Sequence, residues 1–216
     1  LNPSSLVMAL NLNCCDKSGY AARMNIQQSV FLNMFKTSVL FNYRINIRKT
    51  IFTAKMCGIA GIYYFGQRPQ KTIANTEKIL QLLKHRGPDY QSYSHFKTAS
   101  LFHSRLSIID TSFASNQPFC NTDKTRALVF NGEIFNYLEL QKSLPHVNTS
   151  GDVEVLFSLL QKEGKTCLNS LNGFFAFGYY DEVQNTLLLA RDRLGVKPLY
   201  YFQDSEKFIF ASELKP

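Results

Sequence analysis

Cys57 is the residue of this sequence with the most direct chemical use, and it follows Met56. If synthesis began at Met56 and that residue were removed, Cys57 would carry a thiol and a free α-amine together. A free thiol titrates at about 8.5 and an α-amine at about 7.7 to 8.0, so the amine is a matched proton acceptor. The pair predicts a nucleophile that is its own base, as in hydrolases with N-terminal threonine or serine. The simpler interpretation is a small hydrophobe buried in a strand.

Arg105 lies in an otherwise apolar stretch, with Leu101 before it and Leu106 and Ile108 after it. A guanidinium in such a stretch needs a carboxylate partner, which it can bind through two parallel hydrogen bonds. The carboxylate of a substrate and a protein Asp would serve equally well, and the sequence leaves both open.

Asn131 and Gly132 follow a short apolar run and place a side-chain amide next to a glycine N–H. Two such donors that converge on one point stabilise the oxyanion of a tetrahedral intermediate. Taken alone, the pair is more typical of a simple Asn-Gly turn between two strands.

Asp152 stands at the start of an amphipathic pattern that predicts a helix. An acid in the first turn of a helix is favoured by the helix dipole, which is the simpler interpretation. The alternative is that Asp152 binds an ammonium group presented to that end of the helix.

These four candidate sites lie within or next to predicted strands and helices. The alternation of apolar residues predicts strands over 57–65, 98–109, 128–130, 173–180, 186–191, 198–202 and 208–211. Helical spacing predicts helices over 72–84, with Thr72 as its cap, over 137–144, and from 149 to Gly164. A chain of 216 residues with this content predicts either one large domain or one domain with an appendage.

The positive charge is concentrated in the first quarter of the chain. Residues 1–55 hold seven Lys and Arg and one acid, a net charge of +6, which leaves +2 of the total +8 for residues 56–216. The folded body is therefore nearly balanced, and its charge gives no support for binding to nucleic acid.

The five cysteines are odd in number and lack the paired spacings of a disulfide framework or a zinc site. They favour a reducing compartment and no metal. No run reaches the roughly 18 apolar residues that a membrane helix needs, so we expect no membrane partner.

Residues 1–55 are rich in Asn and Ser, poor in acids and without a sustained strand or helix period. We interpret them as an unstructured extension with three alternative origins: a transit segment, a propeptide removed to expose Cys57, or upstream sequence translated from a misplaced start. We favour the misplaced start. An attached extension would cap the α-amine of Cys57 as an amide and remove the proposed base.

Seven motifs then occur in order through residues 56–216, and together they resemble the glutaminase domain of glutamine-hydrolysing asparagine synthetases. The similarity to the related glucosamine-phosphate and phosphoribosylamine-forming amidotransferases is weaker. The motifs are Met-Cys-Gly-Ile-Ala-Gly (56–61), His-Arg-Gly-Pro-Asp (85–89), Arg-Leu-Ser-Ile-Ile-Asp (105–110), Asn-Gly-Glu-Ile-Phe-Asn (131–136), Ser-Gly-Asp (150–152), Ala-Arg-Asp-Arg-Leu-Gly-Val-Lys-Pro-Leu-Tyr-Tyr (190–201) and Ala-Ser-Glu-Leu-Lys (211–215).

The resemblance implies a class II glutamine amidotransferase with the α+β fold of the N-terminal-nucleophile (Ntn) hydrolases. That fold is a four-layer αββα sandwich in which two antiparallel sheets lie between helices. It also implies that Cys57 attacks the side-chain amide of glutamine while Asn131 and Gly132 form the oxyanion hole.

The remaining roles implied by the resemblance concern the α-substituents of glutamine. Arg105 holds the α-carboxylate, and Glu133 and Asp152 help to bind the α-amino end. The products are glutamate and ammonia, and this domain needs no cofactor.

In the family a synthetase domain follows, and its glycine- and serine-rich pyrophosphate loop does not occur within residues 1–216. We therefore expect the chain by itself to hydrolyse glutamine only. ATP and Mg are expected only in a synthetase domain or separate synthetase chain, which would use the ammonia to convert aspartate to asparagine. The resemblance implies a cytoplasmic location, and the sequence leaves open whether the chain forms a homodimer.

Two other functions stay open at this point. One is a non-catalytic, truncated remnant that acts as a binding module. The other is a class II amidotransferase with a different acceptor.

Overall fold

The computed structural model describes residues 8–13, 56–70, 74–107, 112–145 and 147–214. Ten strands and three α-helices lie in this part of the chain. The strands are β1 (Met8–Asn13), β2 (Gly58–Tyr64), β3 (Tyr90–His95), β4 (Ala99–Arg105), β5 (Phe119–Cys120), β6 (Arg126–Ile134), β7 (Gly173–Asp181), β8 (Thr186–Arg191), β9 (Tyr200–Gln203) and β10 (Lys207–Ala211). The helices are α1 (Thr76–Leu83), α2 (Tyr137–Gln141) and α3 (Asp152–Glu163), with short 3₁₀ helices at Phe113–Ser115 and Gly164–Asn169.

The strands form two five-stranded sheets in which every pairing is antiparallel. The first sheet has the order β1-β8-β7-β6-β5 and the second has the order β3-β4-β2-β10-β9. The long central pair of the first sheet, β6 and β7, runs in register from Arg126 opposite Asp181 to Ile134 opposite Gly173. In the second sheet, β2 lies between β4 and β10.

Alternate residues of the facing strands pack the two sheets against each other, as the two-residue period of a strand requires. Phe210 of β10 shows how closely the sheets approach. A Cβ added at Gly61 would lie 2.2 Å from the Phe210 ring, and one added at Gly178 would lie 2.5 Å from it. The small residues near the start of β2 thus make room for an aromatic ring in the core. The other buried members of this layer are Ile59, Tyr63, Phe96, Ala99, Leu101, Ala127, Val129, Ala176, Tyr180, Leu187, Leu189 and Phe208.

The outer face of each sheet is covered by a helix. Helix α3 packs on the first sheet, where Leu156 and Leu160 contact the cluster that contains Phe130 and Phe177. Helix α1 packs on the second sheet through Leu83. The order of layers is helix, sheet, sheet, helix, so the predicted αββα sandwich of two antiparallel sheets is confirmed.

Most of the predicted strands and helices occur close to their predicted limits. Thr186–Arg191 coincides with its prediction, and α3 ends at Gly164, whose φ of +59° suits glycine. Helix α1 begins at Thr76, later than predicted, and the proposed cap at Thr72 lies outside the described residues.

Three features differ from the sequence-based expectations. Asn131 and Gly132 lie inside the long strand β6, so the interpretation of this pair as a turn is wrong. The polar strand Tyr90–His95 was not predicted, because its Gln and Ser residues hide the strand period at a sheet edge. Within the extension, Met8–Asn13 forms a strand on the edge of β8, so these six residues are not without regular structure. The other residues of the extension lie outside the described part of the chain.

Candidate active site

The Cys57 thiol lies at the entry to β2 and against the residue that follows Arg105. The Leu106 N–H donates to Cys57 Sγ at 3.4 Å, and the thiol donates to the Leu106 carbonyl at 3.5 Å. Burial raises the pKa of the Cys57 thiol, whereas the Leu106 amide and the charges of Arg105, Lys197 and Arg86 act to lower it. Without another base the thiol is therefore protonated near neutral pH, and its attack needs a proton acceptor.

One cavity brings the predicted site residues together although they are distant in sequence. Five of the six, Cys57, Arg105, Gly132, Glu133 and Asp152, line its wall. Asn131 is not among the lining residues, although it directly precedes Gly132. The rest of the lining consists of Leu106, Ser115, Gln117, Phe130, Gly151 and Val153.

Arg105 is the last residue of β4 and is only 6% exposed. Its Nη1 donates to the carbonyl of Ser112 at 2.7 Å and to Asn116 Oδ1 at 2.5 Å. These two acceptors orient the guanidinium at the cavity. The segment that contains the 3₁₀ turn Phe113–Ser115 therefore sets the direction of this cation.

The His-Arg-Gly-Pro-Asp loop supports the backbone beside Arg105. A Cβ at Gly87 would lie 2.3 Å from the Ser104 carbonyl, so only glycine permits this approach. Asp89 forms two hydrogen bonds with this backbone. Its N–H donates to the Arg105 carbonyl at 3.1 Å, and its Oδ2 accepts from Ser107 N at 2.9 Å. Through these contacts the loop shapes the backbone beside the cavity.

Asn131 and Gly132 are fixed by the ladder between β6 and β7. A Cβ at Gly132 would lie 2.3 Å from the Phe174 carbonyl, so β7 leaves room only for glycine. Asn131 is 1% exposed, and its Nδ2 has no hydrogen-bond partner within the described residues. It shares the face of β6 that also carries Val129 and is turned toward the second sheet. A buried amide donor of this kind suits an acceptor that a ligand supplies.

Asp152 is the first residue of α3, and it is joined to the residue after Glu133. Its Oδ2 accepts from Ile134 N at 2.9 Å. The pKa of Asp152 is raised to about 6, mainly by burial and to a smaller extent by the nearby Glu133 carboxylate, while the Ile134 amide acts to lower it. Two acids thus meet at one end of the cavity, and the pair favours a cationic ligand group there.

Two cations near Cys57 were not among the predicted site residues. Arg86 Nε donates to the Cys57 carbonyl at 3.1 Å, and Lys197 Nζ donates to Met56 Sδ at 3.4 Å. Their only signal in the sequence is that they belong to the motifs at 85–89 and 190–201.

His103 lies in β4 and is fully buried. Its Nε2 donates to the Phe130 carbonyl at 3.3 Å, and burial lowers its pKa to about 3. The ring is therefore neutral at physiological pH and fastens the second sheet to the first.

Within the described ranges, no cluster of three or more His, Cys, Asp or Glu side chains could hold a metal ion. In the same ranges, no helix has the length and apolar character needed to cross a membrane.

The comparison with protein families covers the same region as the cavity. A family model described as a glutamine amidotransferase domain matches residues 56–216. The chain belongs to the glutamine amidotransferase domain family. The match begins at Met56, immediately before the nucleophile that the sequence predicts.

Curated relatives of this amidotransferase domain include proteins named as glutamine-hydrolysing asparagine synthetases. A Methanocaldococcus jannaschii protein so named is 40% identical over 179 residues, which cover 74% of this chain and 34% of that protein. Asparagine synthetase 1 of Bacillus subtilis is 37% identical over 74% of this chain and 26% of its own length. Asparagine synthetase B of Escherichia coli is 36% identical, with 74% and 29% covered. The chain thus spans about a quarter to a third of these relatives and is homologous to their glutaminase part.

Solved structures support the fold of the amidotransferase domain. The glutamine phosphoribosylpyrophosphate amidotransferase of Bacillus subtilis aligns with a TM-score of 0.56 at 24% identity, over 72% of this chain and 42% of that one. A structure described as the allosteric regulatory enzyme of purine biosynthesis aligns with a TM-score of 0.53 at 22% identity, over the same shares. At these identities the likeness concerns the fold alone.

Proposed function

We propose that this chain hydrolyses glutamine to glutamate and ammonia through a γ-glutamyl thioester on Cys57. The observation that carries the proposal is the cavity that the Cys57 thiol, the Arg105 cation and the acids Glu133 and Asp152 line together. Such an arrangement matches an amino acid whose side-chain carbonyl is attacked while its α-substituents are held by charge.

The Arg105 guanidinium binds the α-carboxylate of glutamine, and the carboxylates of Glu133 and Asp152 accept from its α-ammonium. Both substituents lie on the same carbon, so these contacts hold one end of the substrate. The hydrogen bonds of Arg105 with Ser112 and Asn116 support this placement, because they orient the guanidinium at the cavity. With its α-carbon held in this way, glutamine presents its side-chain amide carbon to the thiol.

The reaction begins when the α-amine of Cys57 takes the thiol proton and Cys57 Sγ attacks the amide carbon. The carbonyl π-bond becomes an oxyanion, which accepts hydrogen bonds from Asn131 Nδ2 and the Gly132 N–H. Collapse breaks the C–N bond, and the nitrogen leaves as ammonia with the proton held by the α-amine. Water, deprotonated by the same amine, then attacks the thioester carbon, which releases glutamate and restores the thiol.

This mechanism needs a free α-amine at Cys57, so residues 1–56 must be absent from the active form. Proteolysis, or synthesis from Met56 followed by removal of that methionine, would produce it. The charge of Lys197 supports the proposed attack in another way, because it acts to lower the pKa of the Cys57 thiol.

We further propose that the ammonia serves ATP-dependent conversion of aspartate to asparagine, on a synthetase domain or in a separate synthetase chain. The names of the relatives support this acceptor in preference to another one. The described cysteines Cys57, Cys120 and Cys167 form no disulfide, which supports a cytoplasmic setting for the reaction.

A chain that starts at Met56 tests the hydrolysis directly. Intact mass should show that methionine has been removed, and the protein should release glutamate and ammonia from glutamine in equal amounts. Cys57→Ala should abolish this release, by at least about 10³-fold, because the covalent step is lost. Cys120→Ala is the matched control: it removes a half-buried thiol outside the cavity and should retain activity.

The full chain of 216 residues supplies the comparison. With the α-amine blocked by the extension, it should turn over far more slowly than the chain that begins at Cys57. Full activity with residues 1–56 still attached would contradict the mechanism. An inactive chain with a verified Cys57 amine would support the non-catalytic alternative.

A further inference from the structure

We propose that Glu213 is a positioning residue for Cys57 and that it acts through Arg86. The inference rests on the proposed function and adds to it a residue that does not touch the substrate. Glu213 belongs to the motif Ala-Ser-Glu-Leu-Lys at 211–215, to which the reaction described above gives no role.

Arg86 links Glu213 to the backbone of the nucleophile. Its Nη1 forms an ion pair with Glu213 Oε1 at 2.8 Å, while its Nε donates to the Cys57 carbonyl at 3.1 Å. The Arg86 side chain is 9% exposed and that of Glu213 is 22% exposed. Because the pair is largely shielded from water, its geometry is held more firmly than that of a surface ion pair.

The same guanidinium is also confined by packing. A Cβ at Gly58 would lie 3.3 Å from Arg86 Cδ, so the glycine next to Cys57 lets the arginine lie directly on the strand. His85 Nε2 approaches the same Glu213 oxygen at 2.9 Å, but its side chain is 51% exposed. Arg86 therefore carries the contact to Cys57, and His85 lies outside it.

Ser212 fastens the neighbouring part of the segment to the same strand. Its Oγ accepts from Ile59 N at 3.0 Å, and its N–H donates to the Ile59 carbonyl at 2.9 Å. The ladder between β10 and β2 reaches Ala211 opposite Ala60. Residues 212 and 213 continue this attachment past the end of the ladder, with Ser212 contacting residue 59 and Glu213 reaching residue 57 through Arg86.

The need for this attachment follows from the position of Cys57 in the chain. Once Met56 is removed, covalent backbone holds Cys57 on one side only. Its carbonyl and the contacts of its thiol with Leu106 then set the direction of the nucleophile. A misplacement of about 1 Å in a reacting group can lower a rate by about 10²-fold, so an anchor on this carbonyl acts on catalysis.

The test compares Glu213→Ala with Glu213→Gln in the chain that begins at Cys57. Alanine removes the acceptor that holds Arg86, so kcat should fall by about tenfold with KM for glutamine within about twofold. Glutamine keeps an acceptor oxygen at the same place and should restore most of kcat. Glu206, an exposed residue in the turn before β10, gives the matched control Glu206→Ala, which should leave both constants unchanged.

A double-mutant cycle separates positioning from a general loss of stability. Lys at position 86 cannot donate to Cys57 and Glu213 from two nitrogens, so Arg86→Lys should resemble Glu213→Ala. If the two act in series, the double variant should be no slower than the slower single variant. Losses that multiply, or a Glu213→Ala variant with unchanged kcat and KM, would overturn the inference.

Alkylation of Cys57 by iodoacetamide tests the same link without turnover and in the full chain. Glu213→Gln removes a negative charge and keeps Arg86 in place, so the pH profile of alkylation should move to lower pH by about half a unit. Glu206→Gln should not move it. If the wild-type protein released no ammonia, the proposed function would fail, but the alkylation profile would still test the link between Glu213 and Cys57. Superimposable wild-type and Glu213→Gln profiles would count against that link.

Discussion

The two walls of the cavity are built in different ways. The wall proposed to carry out the reaction comes from strands: Cys57 directly precedes β2, and Gly132, which follows the buried Asn131, lies within β6 and is paired with β7. The wall proposed to bind the charged groups of the substrate comes from the ends of elements. Arg105 is the last residue of β4 and is contacted by the residues on either side of a 3₁₀ turn. Asp152 is the first residue of α3.

Because of this difference, substitutions in the two walls should affect different properties of the protein. Groups fixed by a sheet ladder are held in place by many backbone hydrogen bonds, so a side-chain truncation there removes a function without moving its neighbours. Groups at the ends of elements are charged and depend on a few local contacts. Their variants should mainly change substrate affinity and its dependence on pH.

Asn131→Ala should have the largest effect of the variants that compare the two walls. Removal of one oxyanion donor typically costs about 10² to 10³ in kcat. The expected change in KM is small, because the donor acts on a charge that develops only in the transition state. Steady-state kinetics of the chain that begins at Cys57 provide the measurement, and Asn172→Ala, at an exposed position before β7, is the control. A loss confined to KM would place Asn131 with the binding wall.

Arg105→Lys should have an intermediate effect of the opposite kind. Lysine keeps the charge but cannot reproduce a planar, two-point contact with a carboxylate, and it cannot make the same contacts with Ser112 and Asn116. We expect KM for glutamine to rise by about 10- to 100-fold, equivalent to about 1.4 to 2.8 kcal/mol, with a smaller change in kcat.

The substrate itself supplies a control for this variant. An analogue with its α-carboxylate converted to an amide should bind poorly to the wild type and should lose little further affinity for Arg105→Lys. Equal loss for both ligands would mean that Arg105 supports the wall without binding the carboxylate.

The two walls also differ in how far the sequence predicted them. The layers followed from the family resemblance, whereas the apolar pattern predicted single elements, such as the apolar strand Thr186–Arg191 and helix α3 with its glycine cap. The charged wall was partly visible, because Arg105 and Asp152 stand out as charges next to apolar runs. The Asn-Gly pair looked locally like a turn, and only its nine-residue ladder with β7 makes it part of a strand. Arg86 and Glu213 are 127 residues apart, and no local pattern predicts such a contact.

The pH dependence of glutamine binding gives the smallest of these effects and the finest measure of the charged wall. The folded-state pKa of Asp152 is raised to about 6, so its carboxylate is charged above that pH and becomes protonated below it. Binding of an α-ammonium requires the charged form. We therefore expect KM to be constant above pH 6 and to rise by about tenfold for each unit below it.

Two variants separate the acids that share this end of the cavity. Asp152→Asn should raise KM at neutral pH by about tenfold and abolish the rise below pH 6, because no titrating carboxylate remains at that position. Glu133→Gln should keep the rise but move its midpoint to lower pH, since the Glu133 charge contributes to the raised pKa of Asp152. A midpoint that stayed at the same pH in Glu133→Gln would show that burial alone sets the pKa of Asp152. A rise that persisted in Asp152→Asn would instead assign the titration to another group.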